Sequence, residues 1–180
     1  GDCGAACHTT TRRGRFNDCI FDGCSAKNGG ALYNVQNVAR SMFTGCKATE
    51  TGGAIEYVDS VENSLFVNTK AKKCGAVYKA DGVTSCTFVN CAATDNKEQY
   101  VLTSGTTVNN SIIVGTDKAS YKGSDTRFVD AGEAENLFVK YNSDGGDFHL
   151  KPDTNAISKV VLEKSVFAAF SRDLDRKFRL

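Results

Sequence analysis

Apolar residues along this chain come in runs of only three to five, each bounded by Gly, Asn, Asp or Ser. Runs of that length predict short strands separated by tight turns and disfavour helices. The runs also recur. Asp18-Cys19-Ile20-Phe21, Arg40-Ser41-Met42-Phe43, Asn63-Ser64-Leu65-Phe66 and Ser85-Cys86-Thr87-Phe88 are variants of one segment, with phenylalanines 22, 23 and 22 residues apart, and Asn110-Ser111-Ile112-Ile113 is a looser copy 25 residues on. An apolar residue stands five positions before the end of each copy: Phe16, Val38, Val61, Val83 and Val108. A further element follows at Gly29-Gly30-Ala31-Leu32 and Gly52-Gly53-Ala54-Ile55, with Cys74-Gly75-Ala76-Val77 as its third copy.

One such strand cannot bury itself. Stacked in parallel at about 4.8 Å, equivalent strands of successive units would align their apolar residues into internal columns. Phe21, Phe43, Phe66, Phe88 and Ile113 would form one column, and Val38, Val61, Val83 and Val108 another. Neither a recurring leucine motif nor a 3.6-residue apolar stripe is visible, which removes the competing solenoids. The expected fold is all-β, a right-handed parallel β-helix of about five to seven coils of roughly 22 residues. Residues 1–15 read as an N-terminal segment or first partial coil, 16–116 as the repeat coils, and 117–180 as closing coils and a C-terminal segment.

The Phe-x-x-Cys/Thr and Gly-Gly-Ala-Leu/Ile elements resemble the Phe-x-x-Asn and Gly-Gly-Ala-Ile repeats of polymorphic membrane protein passenger domains, and more broadly those of pectate-lyase-like β-helix surface proteins. The resemblance covers about residues 16–116. Arg127-Phe128-Val129-Asp130-Ala131, Gly146-Asp147-Phe148-His149-Leu150, Asn155-Ala156-Ile157 and Asp173-Leu174-Asp175-Arg176 are similar to the closing coils of secreted β-helix proteins. In such relatives a final strand follows, so the resemblance implies that a chain stopping at Leu180 is truncated, processed or completed by another chain. These motifs specify a fold far better than a function. Where the family places Asn after its Phe, this chain has Cys24, Cys46, Thr69, Cys91 and Thr116.

That substitution bears on the eight cysteines. Cys24 and Cys46 hold the same position of adjacent coils, so stacking would bring their Cα atoms within about 5 Å, a spacing that a disulfide spans. Cys91 lies two coils beyond Cys46, about 10 Å away and out of reach, which leaves Cys74 or Cys86 as its candidate partner. The competing reading is that these thiols fill buried turn positions as small apolar groups. Cys19 and Cys86 share a column with Ser41, Ser64 and Ser111 and are the best candidates for free thiols. Cys3 and Cys7 could pair, or tie the first coil to whatever precedes it. No zinc-type spacing repeats, although His8 beside Cys7, together with Cys3, could complete a metal site. A disulfide-rich chain belongs in an oxidising compartment, so a secreted or cell-surface location is expected.

Twenty-two Lys and Arg against 21 Asp and Glu give a net charge of +1, which excludes nucleic acid as an expected partner, and no apolar run is long enough to span a membrane. A uronate-cleaving β-helix would need carboxylates for Ca²⁺ and an Arg or Lys to take the proton α to the uronate carboxyl. Asp59, Glu62 and Asp81 fall near one turn and are weak metal candidates against the alternative of a solvated charged edge. Glu56 and Lys79 come at roughly equivalent positions. The strand interiors offer no paired carboxylates for glycoside hydrolysis, and no Ser or Cys motif points to His149, so no catalytic residue and no cofactor is assigned. Asn109-Asn110-Ser111 is a glycosylation sequon. Tyr33, Tyr57 and Tyr78, in three successive coils, would form an exposed strip if they faced outward.

The expectation is a non-catalytic extracellular structural or adhesive β-helix module. Open coil ends carry unpaired strand edges, so its partners would be itself or neighbouring β-helix segments stacked end to end, as in a longer surface fibre. Val160-Val161-Leu162 and Val166-Phe167-Ala168-Ala169-Phe170 are apolar enough to cover one end or dock a neighbour. Glycans or host and cell-surface proteins are further expected partners. The alternative is a polysaccharide lyase or hydrolase, or a carbohydrate-binding β-helix.

Overall fold

The structure is a computed structural model that describes residues 4–7, 14–95, 100–115, 117, 119–142 and 145–151. The first turn carries β1 (Ala6–Cys7), β2 (Arg15–Asn17), β3 (Ile20–Asp22) and β4 (Ser25–Asn28), and the second β5 (Leu32–Ala39), β6 (Met42–Thr44) and β7 (Lys47–Thr51). The third carries β8 (Ile55–Glu62), β9 (Leu65–Val67) and β10 (Lys70–Ala71), and the fourth β11 (Val77–Thr84), β12 (Thr87–Val89) and β13 (Ala92–Ala93). Then come β14 (Thr107–Asn109), β15 (Ile112–Val114), β16 (Arg127–Val129), the short helix α1 (Ala131–Leu137) and the hairpin β17 (Phe138–Asn142) with β18 (Gly145–Leu150). Corresponding strands stack in parallel into three sheets: A with β1, β2, β5, β8, β11 and β14; B with β3, β6, β9, β12, β15 and β16; C with β4, β7, β10 and β13. The result is a parallel β-solenoid of about four turns.

The register shows why the repeat folds this way. Phe21 pairs with Phe43, Phe43 with Phe66, Phe66 with Phe88, and Phe88 with Ile113, one residue per turn. Phe16, Val38, Val61, Val83 and Val108 align in sheet A in the same manner, and Leu32, Ile55 and Val77 form a third column. All but Phe16, which is half-buried and packs against them, are buried in one continuous core.

Single residues of left-handed backbone make the corners. Asp18, Arg40, Asn63, Ser85 and Asn110 have φ of 56°, 48°, 45°, 56° and 48° between sheets A and B. Gly23, Gly45, Asn68 and Asn90 take the equivalent role between sheets B and C, with φ of 61°, 60°, 55° and 53°. Gly, Asn and Asp enter this conformation most readily, and apart from Arg40 and Ser85 they hold these corners, which is why such residues bound the apolar runs.

The count of about four turns falls short of the expected five to seven, and part of the reason lies at residues 131–150. Instead of continuing the stack, α1 and the antiparallel β17–β18 hairpin pack along the outside of sheet B. There Ala134, Leu137 and Phe138 cover Val67, Val89, Val114 and Val129, the outward-facing neighbours of the core column, and form a second small core. Tyr141 donates from its hydroxyl to Asn90 Oδ1 at 3.1 Å and fixes the hairpin to the corner of the fourth turn. The apolar segments expected after Ala156, and the Asn155 and Asp173 motifs, lie outside the described residues. Among the described residues, no helix is long and apolar enough to cross a membrane.

Candidate functional site

None of the six cysteines whose side chains are described is in a disulfide, which corrects the expected disulfide between Cys24 and Cys46 and the suggested partners of Cys91. Stacking does bring Cys24 and Cys46 together, but equivalent side chains of a parallel stack project in the same direction. Each thiol turns back to the carbonyl two residues earlier instead: Cys24 to Asp22 at 3.8 Å, Cys46 to Thr44 at 3.6 Å, and Cys91 to Val89 at 3.6 Å. Cys46 and Cys91 also reach the carbonyls of Phe21 and Phe66 in the preceding turn, both at 3.6 Å. Ser41, Ser64, Cys86 and Ser111 make the same two-residue return bond at the other corner, and Ser41, Ser64 and Ser111 accept a backbone N–H from the turn before. Thiol and hydroxyl are interchangeable parts of one corner ladder. Cys74 instead faces Thr103 Oγ1 at 3.7 Å. Cys3, His8 and Thr116 lie outside the described residues, as does the side chain of Cys7.

Burial pushes the Cys46 thiol up to about 12 and the Cys91 thiol up to about 11. In the unfolded chain these thiols titrate near about 8.5, so the stability that their neutral form contributes is complete below that pH and lost as pH climbs towards 11–12. Each is expected to add a slope of about 1.4 kcal/mol per pH unit in that window. Urea midpoints measured between about pH 8 and 10 should fall more steeply for the native chain than for the Cys46→Ser/Cys91→Ser double variant. Parallel slopes would refute this.

The weak metal candidates do not assemble. Asp59 and Asp81 are aligned on adjacent turns, flanked by the pairs Val58–Ala80 and Ser60–Gly82, but Glu62 lies three residues along the strand, about 10 Å away. Among the described residues no group of three His, Cys, Asp or Glu is placed to hold a metal ion. The register also separates Glu56 from Lys79: Glu56 pairs with Tyr78 and with Tyr33. Tyr33, Tyr57 and Tyr78 therefore do not form one strip. Glu56, 6% exposed and bonded to Thr51 Oγ1, interrupts it, while Lys79 donates to the Tyr57 hydroxyl at 2.9 Å. Asn109 is half-buried and accepts from Ser124 N at 3.0 Å, and Ser111 of its sequon is buried in the corner ladder, so the folded sequon is not an open loop.

Three surfaces remain. A groove of about 510 Å³ runs between the β17–β18 hairpin and the first corner, where the charged groups close on each other. Arg40 binds Asp18 through two hydrogen bonds of 2.9 and 3.0 Å, which raise its pKa, and His149 bonds Asp147 on the same hairpin strand. The second surface is the edge of the first turn. Among the described residues β3 pairs only with β6 and β4 only with β7, Ile20 is 71% exposed, and the phenylalanine column ends at Phe21 with Phe16 edge-on beside it at 6.0 Å. The third is the outer face of sheet C, a shallow concavity whose lining includes Lys27, Lys47, Thr49, Lys70, Lys72 and Thr94. No protein-family model, curated protein or solved structure matches the chain.

Proposed function

We propose that this chain is a non-catalytic structural or adhesive β-solenoid module that joins neighbouring β-helix segments, or further copies of itself, through the edge of its first turn. The observation carrying this reading is that edge: two strands that, among the described residues, have one hydrogen-bonded side each, a phenylalanine column running out to the first turn, and an isoleucine exposed on the rim. Such an edge is a template for continuing the sheets. Extracellular display belongs to the same proposal and rests on the adhesive reading, because the free thiols withdraw the disulfide argument for an oxidising compartment. Kinship with the polymorphic membrane proteins or pectate-lyase-like surface proteins is likewise proposed on the repeat motifs alone.

Light scattering over a concentration series is expected to show particle mass rising with concentration. Ile20→Lys places a charge on the edge strand without entering the core, and should shift assembly to higher concentration. A strictly monomeric native chain at every concentration would overturn the proposal.

A further inference from the structure

Leu32, Ile55 and Val77 face the core, so their neighbours Tyr33, Glu56 and Tyr78, which pair across turns two, three and four, face outward from sheet A. Glu56 is nevertheless only 6% exposed, a carboxylate placed between two tyrosines. One position further on, the same register aligns Asn34, Tyr57 and Lys79, all with left-handed backbone, at φ of 57°, 58° and 59°. Asn enters that conformation readily, whereas Tyr and Lys resist it, and strain of this kind gathers where a side chain has to be aimed. Here the two side chains bring a cation onto aromatic rings. The Lys79 ammonium lies 4.7 Å from the Tyr57 ring centroid and 5.2 Å from that of Tyr78, and it donates to the Tyr57 hydroxyl at 2.9 Å. The Tyr33 ring stands edge-on to Tyr57 at 5.7 Å. The hydrogen bond to Tyr57 raises the Lys79 pKa, and the Glu56 charge acts in the same sense.

We propose that this outer face of sheet A is a binding site for a methylated ammonium group, which sits over the Tyr57 and Tyr78 rings, beside Glu56, where the Lys79 ammonium now lies. The rings offer their negative faces to a positive charge, and the Glu56 carboxylate adds its own charge to theirs. A primary ammonium is compact and strongly hydrated, so Lys79, which is exposed, is a weak occupant. A methylated ammonium holds water less tightly and gains more from the same rings. Lys79 therefore acts as a tethered competitor, lowering the affinity of the site by the fraction of time it spends there. The methylated ammonium group is common to a choline headgroup and to the side chain of a methylated lysine. The site spans turns two to four and leaves out the edge of the first turn, so it goes beyond the assembly reading and does not rest on it.

Magnetic resonance titration of the full chain, read at the tyrosine ring protons and at the ligand methyl protons, would use tetramethylammonium, choline, a trimethyllysine peptide and 3,3-dimethylbutanol, the uncharged isostere of choline. The methylated cations are expected to bind in the millimolar range, with their methyl signals moved upfield by the rings, and tighter binding of choline or of the peptide names the source of the group. Tyr57→Asn removes a ring and places at this left-handed position the residue type that holds it at Asn34, so affinity should fall at least about tenfold without loss of thermal midpoint. Lys79→Asn removes the competitor on the same terms and should raise affinity about threefold, a gain that a damaged fold could not produce. Equal binding of 3,3-dimethylbutanol, ring protons unmoved by every methylated cation, full affinity in Tyr57→Asn, or no gain in Lys79→Asn would each overturn the proposal.

Discussion

Gly53→Ala is expected to destabilise the solenoid by about 3 kcal/mol or more, whereas Gly82→Ala should change stability by less than about 1 kcal/mol. A Cβ on Gly53 would stand 2.0 Å from the Gly75 carbonyl oxygen and 2.7 Å from Lys70 N, both backbone atoms of the next turn. The same approach recurs along the column, at 2.0 Å from Gly4 to Gly30 and at 2.1 Å from Gly30 to Gly53. Moving one turn aside therefore presses on the next. The backbone of these glycines is also committed to the ladder, with the Gly53 N–H donating to Cys74 O at 3.1 Å and the Gly75 N–H to Tyr100 O at 2.8 Å, so shifting it would break inter-turn hydrogen bonds. Gly82 has nothing within 4 Å of its added Cβ and does not have left-handed backbone. Urea denaturation of both variants at matched m-value tests the contrast. Equal stability in the two variants would refute the close-approach account.

The second glycine of the Gly-Gly-Ala element was thus legible as a repeat but not as a steric requirement. The spacing of Phe21, Phe43, Phe66 and Phe88 placed the strands and their stacking, because a one-residue slip in a parallel stack would turn every column inside out. Spacing could not choose between bridged and free cysteines. Cα separation permits a bond in such a stack, but side-chain direction does not supply one, and direction appears only once the corner is folded.

The flanking hairpin had a signal that the repeat obscured. Phe21 and Phe43 are followed by Asp22 and Thr44, whereas Phe66, Phe88, Ile113 and Phe128 are followed by Val67, Val89, Val114 and Val129. Loss of alternation means that both faces of a strand are covered. Sheet B is therefore solvated over its first two turns and covered beyond them, where α1 and the hairpin lie. The lysine face of sheet C left no such trace. Lys47 and Lys70 are 23 residues apart, form no charged run, and cancel in the net charge; only the register makes them neighbours.

Phe66→Ala should be the most damaging of the core truncations, at about 3–5 kcal/mol. Phe66 is fully buried, its ring centroid 4.7 Å from Phe43 and 4.8 Å from Phe88, with interplanar angles of 4° and 16°. Removing it opens a cavity and parts the stack at its centre. Phe21 has one stacked neighbour, Phe43 at 4.7 Å, and is 9% exposed, so Phe21→Ala should cost roughly half as much. Phe66→Leu keeps most of the volume and should cost about 1–2 kcal/mol. The central truncation has a second consequence, because in a solenoid each turn contacts only its neighbours and cooperativity passes through the interfaces between turns. Weakening the middle interface should uncouple the first two turns from the fourth, broadening the urea transition and lowering the apparent m-value, while Phe21→Ala leaves the transition sharp. Hydrogen exchange should then show amides of β5 and β6 opening at lower free energy than those of β11 and β12 in Phe66→Ala. Equal costs for Phe21→Ala and Phe66→Ala, or uniform exchange in the latter, would mean that the phenylalanine stack does not couple the turns.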